Sequence, residues 1–376
     1  MARVLLAPDK FKGTLTAAAV AEHVAAGLRS VVPDVDVCVV PVADGGDGTL
    51  AAAEAAGFEP VAVTATGPTG MGRASAFGRR GGEAVVELAE ISGLGQLPGG
   101  RLEPLTATSR GTGELIAAAL DAGCRRVVVG IGGSACTDGG AGMVTALGAS
   151  LVDAQGDPVR PGGAALADVV ELDLSGLHPA LAEAELVVAS DVDNPLTGPK
   201  GAAAVYGPQK GATPEQVEQL DGALAHWADL VAKATGTDHR DTPGAGAAGG
   251  VGFGLVAVLG ATTRPGARLV FELTGLLDQL RDANLVVTGE GSLDPQTLHG
   301  KAPAAVAAAA RDAGLPAVAV AGRVTLTPGE VADAGLTAAY ALVDEAGSEH
   351  EAMTRPGPLL ERIGARIATE HLAGDR

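Results

Sequence analysis

Aromatic residues are nearly missing from this chain: one Trp, two Tyr and five Phe among 376 residues. So few rings leave little with which to stack bases, and a formal net charge of −19 offers no basic face to nucleic acid or to an anionic membrane. Neither is expected as a partner. Cysteine is scarce too, and Cys38, Cys124 and Cys136 have no C-x-x-C spacing, which excludes a disulfide framework and a zinc site. No apolar run approaches the ~20 residues of a membrane span, and the apolar stretch in "MARVLLAPDK" is too short for the core of a signal peptide. A reducing, cytoplasmic setting is the expectation. The patterns G-x-x-x-x-G-K-S/T, H-E-x-x-H and G-x-S-x-G are also missing, so P-loop enzymes, zinc hydrolases and serine hydrolases with a nucleophile elbow are set aside.

What the chain does have is small apolar residues and glycine. Apolar residues make up 47%, much of it alanine, so helices are expected to pack closely through small side chains. Lysine is used selectively. Of 26 basic residues only six are Lys, and Lys10, Lys12, Lys200, Lys210 and Lys301 fall in Gly-, Pro- or Asp-rich segments that read as loops. A compact, flexible point charge in a loop suits a transferring phosphate; the competing reading is chance in a loop-rich chain.

The first 60 residues read β-loop-α-β-loop-α. "RVLLAP" is a buried strand, Thr14 or Thr16 caps a helix with Val20, Val24 and Leu28 on one face, and "VDVCVVPVA" is a second strand. The same grammar returns from about residue 283 with three more strands, beginning at "NLVVTGEG". The expected fold class is α/β: a flavodoxin-like, doubly wound five-stranded sheet over 1–60 and 283–376, interrupted by an inserted mixed α/β domain over 61–282. Within the insert, "EPVAVTATGPTGMGRASAFGRRGGEAVVELAE" suggests antiparallel hairpins, and Thr213 with Pro214 opens a long helix.

The most unusual stretch is "VVVGIGGSACTDGG", residues 127–140, a β-branched run that dissolves into glycine and aspartate. Bare backbone after a buried strand lets an anion approach peptide N–H groups, so phosphate is the first ligand to expect at Gly132, Gly133 and Ser134. The same letters fit a dinucleotide pattern from Gly130 to Ala135, with Asp153 as ribose ligand. In a sheet of flavodoxin-like order, ligands bind beyond the carboxyl ends of the first and third strands. That brings Asp9, Lys10 and Lys12 toward Glu290 and Asp294, with Asp44 and Asp47 close by. Carboxylates beside a phosphate loop suit Mg²⁺, although structural ion pairs would use the same residues. Ser109 and Thr112 in "SRGTGEL" can offer hydroxyls to an anion or simply cap a helix. Asp191 and Asp193 in "SDVDNPL" lie on one side of an extended segment or hold an Asx-turn. Gln209 and Lys210 stand between glycines, and "GAGAAGGVGFG", residues 244–254, reads equally as a cradle and as close packing.

Seven stretches, "APDKFKGTLTA", "PVADGGDGT", "SRGTGELI", "GIGGSACTDGG", "SDVDNPLTGPKGAAAVYGPQKGAT", "TGEGSLDPQT" and "GKAP", occur in order over residues 7–303, and together they closely resemble the bacterial glycerate kinase family. The resemblance implies ATP- and Mg²⁺-dependent phosphorylation of glycerate to 2-phosphoglycerate, with 3-phosphoglycerate as the other product to consider. It also implies a flavodoxin-like domain split by one likened to restriction enzymes. Lys10, Asp47 and Ser292 depart from the family's commoner D-S-F-K, A-D-G-G-E-G and G-E-G-R-x-D, and the lost arginine bears on carboxylate recognition.

In phosphoryl-transfer terms, Asp191 is the expected base and Lys12 the cation on the transferring group. Phosphate and substrate contacts are expected from Asp9, Lys10, Asp44, Ser109, Thr112, Gly132, Gly133, Ser134, Gln209, Lys210 and Lys301. Metal contacts are expected from Asp193, Glu290 and Asp294. The expected partners are glycerate and ATP, and a homo-oligomer is left open. Two other functions use the same letters: a NAD-dependent dehydrogenase built on Gly130–Ala135, and a non-catalytic two-lobed anion-binding protein.

Overall fold

The computed structural model describes residues 2–298 and 301–373, so His299 and Gly300 of the "GKAP" stretch lie outside the described residues. Strand β1 (Arg3–Pro8) leads through the helix Ala17–Val31 to β2 (Asp36–Val39). The helix Thr49–Ala55 precedes β3 (Glu59–Thr66), β4 (Gly72–Arg80) and β5 (Glu83–Glu87). The helix Arg110–Asp121 then leads to β6 (Arg126–Gly130), followed by the short β7 (Ser150–Val152) and β8 (Glu171–Asp173) and by β9 (Glu185–Ala189). After the helix Pro214–Thr235 and β10 (Thr262–Arg264) come β11 (Leu285–Leu293), β12 (Ala317–Val324), β13 (Ala338–Ala341) and the closing helix Pro356–His371.

The chain divides into two compact units. The first comprises the described residues of Met1–Asp44, Ala51–Ala56 and Ala267–Arg376. Its sheet has five parallel strands in the order β13-β12-β11-β1-β2, so the winding reverses between β1 and β11. Period-two alternation in "RVLLAP" feeds a core on each face, as a parallel sheet covered on both sides requires. Val4 and Leu6 join Val20, Val24, Leu28, Leu360 and Ile363 on one side, while Leu5 and Ala7 join Phe271, Leu276, Val286 and Val306 on the other. Thr16 is the residue that caps the first helix, accepting from Ala19 N at 3.2 Å. The small residues serve close approach: a Cβ on Gly27 would lie 2.1 Å from the Glu361 carbonyl oxygen of the closing helix.

The second unit comprises Gly45–Leu50 and Gly57–Gly266. Its six-stranded sheet runs β10-β9-β6-β5-β4-β3, parallel from β10 to β5 and antiparallel from β5 to β3. The antiparallel part is the Gly-punctuated segment, and Gly81 takes φ +59° in the turn between β4 and β5. Trp227 is fully buried on the helix Pro214–Thr235, which Thr213 and Gln216 close with a reciprocal capping box.

The unit limits differ from a break at 60/61 and 282/283. Residues 267–282 fall with the first unit because Ala267, Phe271, Leu276 and Leu280 share a core with Leu5 and Val286. Residues 45–50 fall with the second because a buried carboxylate there, Glu87, takes the N–H groups of Gly48 and Leu50. No helix among the described residues is long and apolar enough to cross a membrane.

Candidate active site

In the second unit, the residues after β6 form a loop whose side chains turn inward and whose backbone turns outward. β6 lies between β5 and β9, with Gly130 in register with Glu87 and Ala189. Beyond it two glycine loops touch backbone to backbone: a Cβ on Gly130 would meet the Gly45 carbonyl oxygen at 2.7 Å, and one on Gly132 would meet Gly46 Cα at 2.5 Å. Gly132 is half-buried, and Gly133, exposed at φ +72°, occupies backbone space that other residues enter at a cost. The loop is pinned on its inner side, where Gly133 O accepts from Leu94 N and Ala135 N donates to Ser92 O, each at 2.9 Å.

Beneath this loop lies Lys210, only 1% exposed. Its Nζ donates to Ser134 Oγ at 2.8 Å and to the Cys136 carbonyl, and burial pulls the ammonium down to about 8. Lys210 and Ser134 therefore brace the loop from behind, where a ligand contact had been expected. Asp138, also 1% exposed, accepts from Ser109 N at 2.8 Å, Ser109 Oγ at 2.9 Å and Thr108 Oγ1 at 3.3 Å. Thr112 Oγ1 donates to Ser92 Oγ at 3.0 Å. Ser109 and Thr112 are fully buried, so their hydroxyls serve the interior and do not present themselves to an anion. The stretch 244–254 is close packing: Gly249 and Gly250 take φ +69° and +87° with Cβ positions 2.1 Å from Cys136 O and 2.7 Å from Gly139 Cα.

Asp191 lies two residues beyond β9 as Gly132 lies two beyond β6, and Gly130 and Ala189 are register partners. The two loops thus start from the same level of the sheet. Asp191 is exposed, with Oδ1 accepting from Gly266 N at 3.1 Å. Asp193 is exposed as well, while Asn194 anchors the segment through the Tyr206 hydroxyl at 2.7 Å and the Lys200 carbonyl at 2.9 Å. Burial and the Asp193 charge push the Tyr206 phenol up. Gln209 is exposed in the turn Pro208–Lys210.

In the first unit, charged side chains gather beyond β1 and β11. Lys10 N donates to Asp9 Oδ1 at 2.6 Å. Burial, reinforced by the nearby Asp44 and Glu290 charges, pushes the Asp9 carboxyl up to about 7 against the pull of Lys10. Glu290, 7% exposed, takes the Thr297 hydroxyl on one oxygen and the Lys301 ammonium, at 3.3 Å, on the other. Lys301 also stands 3.8 Å from Asp294. Burial is the main cause that raises the Glu290 carboxyl, and Thr297 and Lys301 oppose it. Lys12 is exposed.

Of the carboxylates expected to hold metal, Glu290 and Asp294 are engaged by a lysine. Lys301 supplies the charge that Glu290 and Asp294 share, Asp193 belongs to the other unit, and no three His, Cys, Asp or Glu converge among the described residues. The dinucleotide pattern also lacks its structural context. The strand ends at Gly130 but the next helix starts only at Ala141, whereas a dinucleotide loop opens directly into its helix. Asp153 is spent on a turn, accepting from Gln155 N at 2.9 Å and Asp157 N at 3.0 Å.

Two braces were not foreseen. Asp138 sat inside the quoted glycine loop, so its position was a usable signal. Glu87, 1% exposed, takes Gly48 N at 3.0 Å and Leu50 N at 2.8 Å, and burial pushes it up to about 7. An acidic residue ending a strand gives no such warning in sequence.

Residues 4–372 match the model of the glycerate kinase family. Glycerate kinase of Bacillus subtilis (strain 168) is 44% identical over 369 residues, 97% of each chain. Glycerate 2-kinase of Escherichia coli (strain K12) is 43% identical, covering 100% of this chain and 99% of its own. The crystal structure of a protein described as glycerate kinase 2 from Salmonella typhimurium LT2 superposes with a TM-score of 0.85 at 42% identity, over 98% of this chain and 97% of that one. With identity of this order sustained from end to end, the chain belongs to the glycerate kinase family.

Proposed function

We propose that the protein transfers the γ-phosphoryl group of ATP to the 2-hydroxyl of glycerate. Glycerate kinases are phosphotransferases with an alcohol acceptor, and the choice of hydroxyl is supported by the relative named glycerate 2-kinase. The observation that carries the reading is the braced loop beyond β6, whose Gly132 and Gly133 N–H groups have no partner recorded among the described residues. Donors that are already fixed need not reorganise as charge develops on a phosphoryl group, which is the larger part of catalysis in such transfers.

Asp191 is the proposed base. It takes the hydroxyl proton as the glycerate oxygen bonds to the γ-phosphorus and the bond from that phosphorus to the bridging oxygen breaks, releasing ADP. Gly266 N donates to its Oδ1 at 3.1 Å and holds the exposed carboxylate at the end of β9, level with the glycine loop. Lys12, exposed and flexible, is the proposed cation on the phosphates, with Lys10 and Gln209 as further polar contacts. Mg²⁺ is proposed as the counter-ion that ATP carries, neutralising phosphate charge; it usually needs only one or two protein carboxylates. Asp9 and Asp44, close enough to repel each other, are the carboxylates proposed for that task.

An ADP-release assay across small hydroxy acids tests the function, with phosphorus NMR assigning the product. Glycerate is expected to stimulate ADP formation, and no more ADP than without acceptor would overturn the reading in favour of an anion-binding protein. Asp191→Asn is expected to cost about 10²- to 10⁴-fold in kcat. Near wild-type turnover would remove Asp191 from the role.

A further inference from the structure

The transfer chemistry accounts for the phosphates and leaves the rest of the nucleotide without a seat. The first unit holds a cavity of about 280 Å³ at the carboxyl ends of β1, β11 and β12, beside the point where the winding reverses. Its floor is apolar, with Phe11, Leu342 and Ala352 almost wholly buried. Val343 forms a half-buried wall, and Met353 at the rim is 60% exposed.

The mouth is cationic. Lys12 and Arg323 both line the cavity, both are exposed, and neither forms an ion pair among the described residues. Between floor and mouth lies Ser292, the register partner of Arg323 across β11 and β12. Ser292 Oγ is buried with no hydrogen-bond partner among the described residues, and a buried hydroxyl left in that state is an unmet cost until something binds there.

These features select among ligands. Glycerate would leave most of this volume empty and has no apolar surface for the floor. A bare polyanion such as inorganic triphosphate suits the mouth but not the floor. A flat heteroaromatic base on a ribose meets all three requirements: apolar faces, ring nitrogens at the edge for Ser292, and phosphates leaving toward cations. Glu349, also on the lining and exposed, offers an acceptor to ribose hydroxyls.

We infer that this cavity binds the nucleoside end of ATP, with the base on Phe11, Leu342 and Val343, its edge at Ser292, and its phosphates led out past Lys12 and Arg323. The inference rests on ATP being the phosphoryl donor. Calorimetric titration with ATP, AMP and inorganic tripolyphosphate tests it on wild type, on Val343→Trp, which fills the cavity, and on Ser292→Ala, which removes only the hydroxyl. Val343→Trp is expected to weaken ATP and AMP at least about tenfold, and Ser292→Ala about threefold, with tripolyphosphate and the KM for glycerate unchanged. Thermal melting shows that each variant is folded, and Ser292→Ala remains decisive should Val343→Trp misfold. Unchanged ATP affinity in a folded variant overturns the inference while glycerate-dependent ADP formation by wild type leaves the function standing. ATP binding that weakens as expected, without phosphoryl transfer to glycerate, supports the cavity and removes the function.

Discussion

The ends of β6 and β11 solve related problems by opposite means. Beyond β6, the ionisable groups are hidden: Lys210, Asp138 and Glu87 are each 1% exposed, and what faces outward at Gly133 is peptide backbone. Beyond β11, the charges are on display, with Lys301 half-buried across Glu290 and Asp294, and with Lys12 and Arg323 exposed. A rigid loop can hold donors for a charge that develops briefly, whereas flexible ammonium and guanidinium groups can follow a ligand as it arrives. The lesson is that a buried charge near a site can act on structure while exposed ones act on ligand.

Breaking the brace beyond β6 should have the largest effect. Lys210→Met removes the donor to Ser134 Oγ and Cys136 O, leaving buried acceptors that each cost about 1–3 kcal/mol. A kcat loss of about 10²-fold is expected, together with a lower Tm. Full activity at an unchanged Tm would show that the loop holds itself. Gly132→Ala should come next, because the new Cβ falls 2.5 Å from Gly46 Cα and must displace one of the two loops. A displacement of about 1 Å at the site is expected to cost about 10- to 100-fold in kcat with the fold retained by circular dichroism.

On the β11 side the effects should be smaller and dependent on pH. Lys301→Met leaves Glu290 and Asp294 without their shared cation. Glu290, which Lys301 otherwise holds down, then protonates more readily, so the fall in Tm relative to wild type should be larger at pH 8 than at pH 5. Equal losses at the two values would mean that packing of the lysine stem, not charge, was lost.

The smallest effect sharpens the comparison by placing one titrating carboxyl in each unit. Glu87 is raised from about 4.5 to about 7, and Asp9 from about 3.8 to about 7. The folded protein holds these protons more tightly than the unfolded chain does. Their contribution is therefore fully present below the unfolded values and is lost as pH rises through about 7. Glu87→Gln, which cannot titrate, should flatten Tm against pH between about 4.5 and 7 by about 2–4 °C. A slope identical to wild type would place the titration elsewhere.

Much of this architecture was legible from residue order. The five strands of the first unit could be read from apolar runs; in the second unit, Thr213 with Pro214 marked the start of the long helix, and Gly81 and Gly82 marked the hairpin. The limit at residue 266 was not legible, because the helix Gly266–Thr274 is apolar enough to pack on either core and only its partners decide. Among candidate site residues, Gly132, Gly133, Asp191 and Lys12 lie where a ligand can reach them, and Ser109, Thr112, Ser134 and Lys210 do not. All eight are the small, polar or charged residues that site chemistry uses, so residue type could not separate them.

The sequence by itself determined the strand and helix grammar, the glycine loops and the family, because period, capping and turn preference act over a few neighbouring residues and leave a local record. Tertiary structure alone decided which charges are braces and which are tools. Lys210 meets Ser134 across 76 positions of chain, and Glu87 reaches Leu50 across 37. Burial and hydrogen-bond partnership are properties of what surrounds a residue, and those surroundings exist only once distant segments have packed.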